Sequence, residues 1–395
     1  MMSKKNNFHI TFLSTWPKTP DGIATFCENL VSNLPLKIKN KKVYWDILKV
    51  NRFKQIAKKN KNKIISELNY NKKIDYCDAA KKINHSDCDV VIIQFINGIY
   101  GGRFGEYIFN FIDNLKKPLL VILHSVAMLP NQSNVIEKQK ILKEFLLRNN
   151  KVVVMSKTAE SFLTESLKFR SKNVFMLYHG APKFNKIGKK EKFMIRKRLG
   201  FNIADKIIFI YGILRKDKGI EDILLALKIL SQKNKNIKLL LIGTDQENNK
   251  YTNKIKHLIK ELNLGNFVKF IPKFITDNQI GTYLQISDIF ISAQTNLGLH
   301  SSGTLSYALS AGSVILSTPI IHAKELLSNK EYSLIPINDS KAIAKSVLEI
   351  INNKKLFLQI KKDNMVIGKK ILWKNISKKY LEIAYEVANE NSSCR

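Results

Sequence analysis

Short apolar runs that close on small or polar residues recur along almost the whole chain, and that recurrence narrows the fold more than any other feature. In the first half they are HITFLST (9–15), VVIIQF (90–95), PLLVILHS (118–125), KVVVMS (151–156) and VFMLYHG (174–180). Between them lie stretches such as FCENLVSNL and FGEYIFNFIDNL, whose apolar residues recur at helical spacing. The rhythm returns at KIIFIYG (206–212), IKLLLIG (237–243), FVKFIPK (267–273), DIFISA (288–293), SVILST (313–318) and SLIPI (333–337). Strand and helix in alternation predict two doubly wound α/β domains. With 395 residues, 45% of them apolar, the chain is long enough to give each its own core.

The apolar pattern lapses in HGAPKFNKIGKKEKFMIRKRLG (179–200), where glycine, proline and charge replace it. This predicts a hinge near 181–190, a first domain over 1–185, a second over 186–370 and a closing helix in 371–395. Ligands of such sheets sit beyond the carboxyl ends of the strands, so two facing domains imply a cleft lined by those loops.

Composition excludes several classes. The four cysteines (Cys27, Cys77, Cys88, Cys394) show neither C-x-x-C pairing nor zinc-like spacing with histidine, and read as cytosolic thiols. MMSKKNNFHITFLSTW looks like a first strand more than a signal peptide, and no apolar run is long enough to span a membrane, so a cytoplasmic protein is expected. The net charge of +34 has three accounts: a general bias toward lysine, since only eight of 66 basic residues are arginine; attraction to an anionic membrane surface through the basic Lys37–Lys73 region; and nucleic acid. No nucleic acid is expected as a partner, because no stretch interleaves aromatics with basic residues.

Chemistry should reside at strand ends. YGILRKDKG (211–219) breaks a buried run into Gly212, Arg215, Lys216 and Lys218, turns on Gly219 and enters a helix. A strand-to-helix loop presents N–H groups to an anion, and a guanidinium that forks onto two oxygens beside a lysine suits a diphosphate. A solvated charge run is the alternative. In STWPKTPDGIATF, Gly22 lets backbone approach a ligand, or simply forms a turn with Pro20 and Asp21. His124 and His179 end strands, where a hydrogen-bonded structural role competes with a catalytic one. Asp87 and Asp89 precede their strand, away from the expected cleft, and predict no metal. In SSGTLSYALSAG, Ser301 or Ser302 can cap a helix whose first N–H groups surround Gly303.

Taken in order, STWPKTPDGIATF, LHSV, VVMSKTAESF, HGAP, YGILRKDKGIEDILLAL, LLLIG, YLQISDIFISA, YALSAGSVILST and ILWKNISKKYLEIA resemble the group 1 (family 4) glycosyltransferases, retaining enzymes of the GT-B architecture with two Rossmann-like domains. The resemblance implies transfer of a hexose from a nucleoside diphosphate sugar to a glycan or lipid-linked acceptor in cell-surface polysaccharide synthesis, without metal or cofactor. It places Arg215 and Lys218 on the donor diphosphate, Gly22 in the glycine loop and His124 against the donor sugar. The segment around Trp373 resembles the family's last helix, which returns to the first domain. The family's two glutamates are missing: aligning on Gly312 puts Leu299 and Tyr307 there. The chain is similar to a subgroup with SGTL-Y instead, in which Ser302, Gly303 and Thr304 offer hydroxyls and N–H groups to the donor. That departure leaves two alternatives, a phosphorolytic enzyme on the same fold and an inactive carbohydrate-binding subunit. A peripheral position at the inner face of the membrane is a further expectation.

Overall fold

The computed structural model describes residues 6–17, 19, 21–51, 63–126, 134–148, 150–245 and 249–390. Pro20, the middle of the basic region (52–62) and Cys394 lie outside them. The chain divides into two compact units, one of residues 1–180 with 373–395 and one of residues 181–372.

The first unit holds β1 (Asn7–Ser14), β2 (Lys37–Ile38), β3 (Lys41–Asn51), β4 (Ile64–Asn69), β5 (Val90–Phe95), β6 (Leu119–Leu123), β7 (Lys151–Val154) and β8 (Val174–Met176). They lie in the order β2-β3-β1-β5-β6-β7-β8, with β4 also paired to β3. Every pairing is parallel except that of the short β2. All six residues of β5 are buried, as a strand covered on both faces requires. One face is covered by the helix Trp373–Glu390, whose Trp373, Ile376, Tyr380, Leu381, Ala384 and Val387 recur every three or four residues and pack with Phe8, Ile10, Phe12 and Phe26. The Trp373 ring lies so close over Gly180 that a Cβ there would collide with it.

The second unit is a five-stranded parallel sheet of β9 (Lys206–Ile213), β10 (Ile237–Thr244), β11 (Val268–Ile271), β12 (Ile289–Ser292) and β13 (Val314–Ser317), in the order β11-β10-β9-β12-β13. The chain moves outward from β9 to β11, then crosses back to β12, so the switch point lies between β9 and β12. β9 pairs with β10 over its whole length but with β12 only at Ile208 and Phe209. Beyond those residues the two strands part, which opens space at their carboxyl ends.

Three readings change. SLIPI is not a strand: Lys330–Ser333 is helical and Leu334 makes one isolated bridge to Ser317. FGEYIFNFIDNL forms a single 3₁₀ turn at Arg103–Gly105 and a short helix at Ile108–Ile112 rather than one continuous helix. The alternation also skipped β2, β3 and β4, which the described part of the basic region forms. Among the described residues no helix is long and apolar enough to cross a membrane.

Candidate functional site

Where β9 and β12 part, Tyr211, Leu214, Lys218, Phe290, Ser292, Gln294 and Thr304 line a recess. The loop after β9 is built to stay beside it. Arg215 is extended, Lys216–Lys218 make one 3₁₀ turn, and Gly219 takes φ +62°, where a Cβ would also collide with the Ala293 carbonyl oxygen. The Thr295 N–H donates to the Asp217 carbonyl at 2.9 Å, tying the loop to the chain after β12. A helix, Ile220–Lys233, follows at once.

The two cations of the loop differ. Arg215 is 54% exposed and forks onto its neighbour Asp217, Nε to Oδ1 at 3.1 Å and Nη2 to Oδ2 at 2.9 Å. Its planar donor face is thus directed at two oxygens of one anion, the arrangement a phosphate would also accept. Lys218 turns inward and donates from Nζ to Gln294 Oε1 at 3.0 Å. Burial first, then the adjacent Arg215 charge, push its pKa down to about 8.

Gln294, buried after β12, links this cation to the next helix. Its Nε2 donates to Ser292 Oγ at 3.2 Å and to Ser302 Oγ at 3.4 Å. Ser302 caps the helix Gly303–Ser310, accepting from the Leu305 N–H at 3.3 Å, and its hydroxyl lies 3.1 Å from Thr304 Oγ1. The Ser302 N–H donates to His322 Nδ1 at 2.8 Å, which puts that ring's proton on Nε2. The N–H groups at the start of such a helix have no carbonyl one turn back, so the cluster presents a cation, hydroxyls and a helix amino terminus together. Gly212 lies on β9 at φ +128°, a conformation L side chains rarely adopt, beside Thr304.

Tyr307, one turn further along the same helix, is buried, and its hydroxyl donates to Asp277 Oδ2 at 3.0 Å. Asp277 opens the helix Asp277–Ile286, held by a capping box between Thr276 and Gln279. Burial, then Tyr307 and Asp277, push the Tyr211 phenol well above its usual pKa, so a carboxylate lies near the recess although neither Leu299 nor Tyr307 is one.

The remaining expected site residues belong to the first unit. Gly22 begins the helix Gly22–Ser32, capped by Asp21, whose Oδ1 accepts from the Ala24 N–H at 2.6 Å and from Thr15 Oγ1 at 3.0 Å. Among the described residues nothing lies within 4 Å of a Cβ placed on Gly22. His124 follows β6. Its Nε2 lies 2.6 Å from Gln94 Oε1, its ring meets Phe26 edge to face at 4.6 Å, and burial, then His179, lower its pKa to about 3. His179 donates from Nδ1 to the Gly180 carbonyl at 2.6 Å and burial holds it at about 4. Both rings are therefore neutral at physiological pH.

Arg215, Lys218, Ser302, Gly303, Thr304, Tyr307 and Gly212 thus come together in the second unit, while Gly22 and His124 occupy the first. Asp217, Gln294 and Asp277 escaped sequence reading, although Gln294 does follow a strand end. Asp89, before β5, accepts the His9 N–H at 2.7 Å. Among the described residues no group of three His, Cys, Asp or Glu side chains is placed to hold a metal ion.

Residues 191–365 match the family model for glycosyl transferases group 1. No curated protein matches. A glycosyltransferase from Rickettsia africae superposes with a TM-score of 0.73 at 19% identity, over 97% of this chain and 99% of that one. Anabaena HepE, solved in complex with UDP and glucose, does so with 0.75 at 14% identity, over 96% and 100%. Sucrose-phosphate synthase from Thermosynechococcus elongatus gives 0.75 at 15% identity, over 96% and 99%. At these identities the structural likeness establishes the fold, and the family match falls in the second unit. Residues 191–365, less than half of the chain, are thus similar to the glycosyl transferases of group 1, and the chain as a whole has the GT-B fold of two Rossmann-like α/β units.

Proposed function

We propose that the protein is a retaining hexosyltransferase that uses a UDP-sugar, acts on a glycan or lipid-linked acceptor in cell-surface polysaccharide synthesis, and meets that acceptor at an anionic membrane surface. The observation that carries the reading is the Lys218–Gln294–Ser302 cluster at the switch point of the domain that matches the family. The UDP and glucose held by Anabaena HepE favour uridine as the base.

The geometry suits a diphosphate leaving group. Arg215 exchanges Asp217 for two phosphate oxygens, Lys218 supplies a second charge, and the N–H groups at Gly303 and Thr304 face the developing negative charge, so catalysis is electrostatic. The acceptor oxygen bonds to the anomeric carbon as the bond to the diphosphate oxygen breaks. The acceptor's hydroxyl proton passes to that departing oxygen, so no separate base is required. Tyr307 with Asp277 holds the ribose hydroxyls, taking over from the missing glutamates. His124, neutral and buried, donates no charge to the reaction and acts by shape and hydrogen bonding.

Calorimetric titration of the full chain with UDP, GDP, ADP and inorganic phosphate tests the reading. UDP is expected to bind, and Arg215→Ala to weaken it. Binding of phosphate alone, with sugar phosphate released from an oligosaccharide, would replace it with the phosphorolytic enzyme; no binding at all would replace it with the inactive subunit.

A further inference from the structure

Two helices of the second unit have a character that the donor recess does not explain. Lys189–Arg198, KKEKFMIRKR, carries six basic residues against one acid and buries none of its side chains. Lys354–Lys370, KKLFLQIKKDNMVIGKK, carries six lysines against one acid, and that acid, Asp363, is engaged by Asn329 at 2.6 Å and by Gln359 at 2.9 Å.

The longer helix buries Ile360, Asn364 and Gly368. Helical spacing then turns Lys355, Leu358, Lys362, Met365 and Val366 outward. Leu358 is 53% exposed, Met365 36% and Val366 50%, while Phe193 and Met194 of the shorter helix are 44% and 50% exposed. Five of the fourteen large apolar side chains exposed among the described residues therefore stand on these two helices. The helices also bring like charges together: burial, then Lys361 and Arg196, lower the Lys192 pKa.

Lysine alone would read as a solvated surface. Lysine interleaved with exposed leucine, methionine, valine and phenylalanine fits a lipid boundary, where ammonium groups remain among the headgroups and apolar side chains enter the acyl region. Phe193 is the one exposed aromatic of the two helices, and of their two arginines, both on the shorter helix, Arg196 is already paired with Asp288 at 2.6 Å, which is poor equipment for base stacking or reading base edges. We propose that the outward faces of these two helices form a docking surface for an anionic phospholipid bilayer. The inference rests on the membrane part of the reading above and moves the contact from residues 37–73 to the second unit.

Flotation of the full chain with phosphatidylcholine vesicles, with and without phosphatidylglycerol, tests it. Binding is expected only with the anionic lipid. Combined Lys355→Gln, Lys361→Gln and Lys362→Gln should weaken it by about fivefold per lysine, roughly a hundredfold together. Leu358→Ser with Val366→Ser should remove the part of the binding that survives high salt. A matched variant with Lys37, Lys41 and Lys42 changed to Gln should bind as the parent does. UDP affinity, measured on every variant, should not change, so failure of the donor reading is seen separately. Equal binding to neutral vesicles, or loss of binding in the Lys37/Lys41/Lys42 variant rather than in the helix variant, would overturn the proposal. So would an RNA homopolymer that binds the helices when vesicles do not.

Discussion

Lys218 should make donor binding depend on pH in an alkaline window. In the free protein its pKa is about 8; a diphosphate placed against the ammonium restores it toward the ordinary value of about 10.4. Binding therefore takes up a proton above pH 8. The charged fraction of the free site falls from about three quarters at pH 7.5 to about one thirtieth at pH 9.5, so UDP affinity should fall about twentyfold over that range. The terminal phosphate, with a pKa of about 6, is already fully charged throughout. Lys218→Arg should flatten the profile, since a guanidinium does not titrate there. The same shift bears on stability with a defined sign. A lysine whose folded pKa is depressed destabilises the fold while charged, by about 3 kcal/mol. That penalty is full below pH 8 and fades as pH rises from 8 to the unfolded value. Lys218→Met leaves Gln294 Oε1 without this donor, which costs about 1 kcal/mol. The net effect is a gain of about 2 kcal/mol at pH 7 that is gone near pH 10. Calorimetry and urea melts across pH 7.5–9.5 measure both. A wild-type affinity flat over the window, or a slope that persists in Lys218→Arg, refutes the argument.

Other outcomes follow from the same geometry. Asp217→Asn releases Arg215 from an exposed pair worth at most about 1 kcal/mol, so UDP should bind up to about fivefold more tightly, as titration will show. Tyr307→Phe and Asp277→Asn should weaken UDP while leaving inorganic diphosphate unchanged, and equal losses for both ligands would remove the ribose role. Gly219→Ala forces a Cβ into the Ala293 carbonyl at positive φ and should cost about 2–4 kcal/mol in a urea melt. With His124 and His179 held neutral to about pH 3 and 4, the unfolded chain takes up protons first as pH falls from 6.5. Stability should drop over that interval, and His124→Gln should lessen the drop.

The alternation of buried runs made the α/β class readable because a strand covered on both faces has no polar side: β5 coincides with VVIIQF to the residue. Strands are hidden in the sequence where burial is one-sided or pairing incomplete. β3, KKVYWDILKVN, has exposed residues at alternate positions in its first half, so it never shows as an apolar run. SLIPI shows as one, yet it touches β13 at Ser317 alone, through the Leu334 bridge and the Ile335 N–H, and never extends into a ladder. In the site, residue type announced Arg215, Lys218 and the serine cap. The direction in which Lys218 turns, and its meeting with Gln294 across 76 positions of sequence, depend on β9 and β12 parting after two residues, which no local pattern encodes.

The helix Trp373–Glu390 completes the core of a sheet whose strands all precede residue 177. During synthesis the first unit cannot close that face until the final helix emerges, whereas residues 181–372 form one uninterrupted segment that can finish folding earlier. Phe8, Phe12 and Phe26 stay uncovered for the interval in which the whole second unit is made. A chain cut short before Trp373 would therefore fail at its opposite end, and its proteolysis should begin among the first strands rather than near the break.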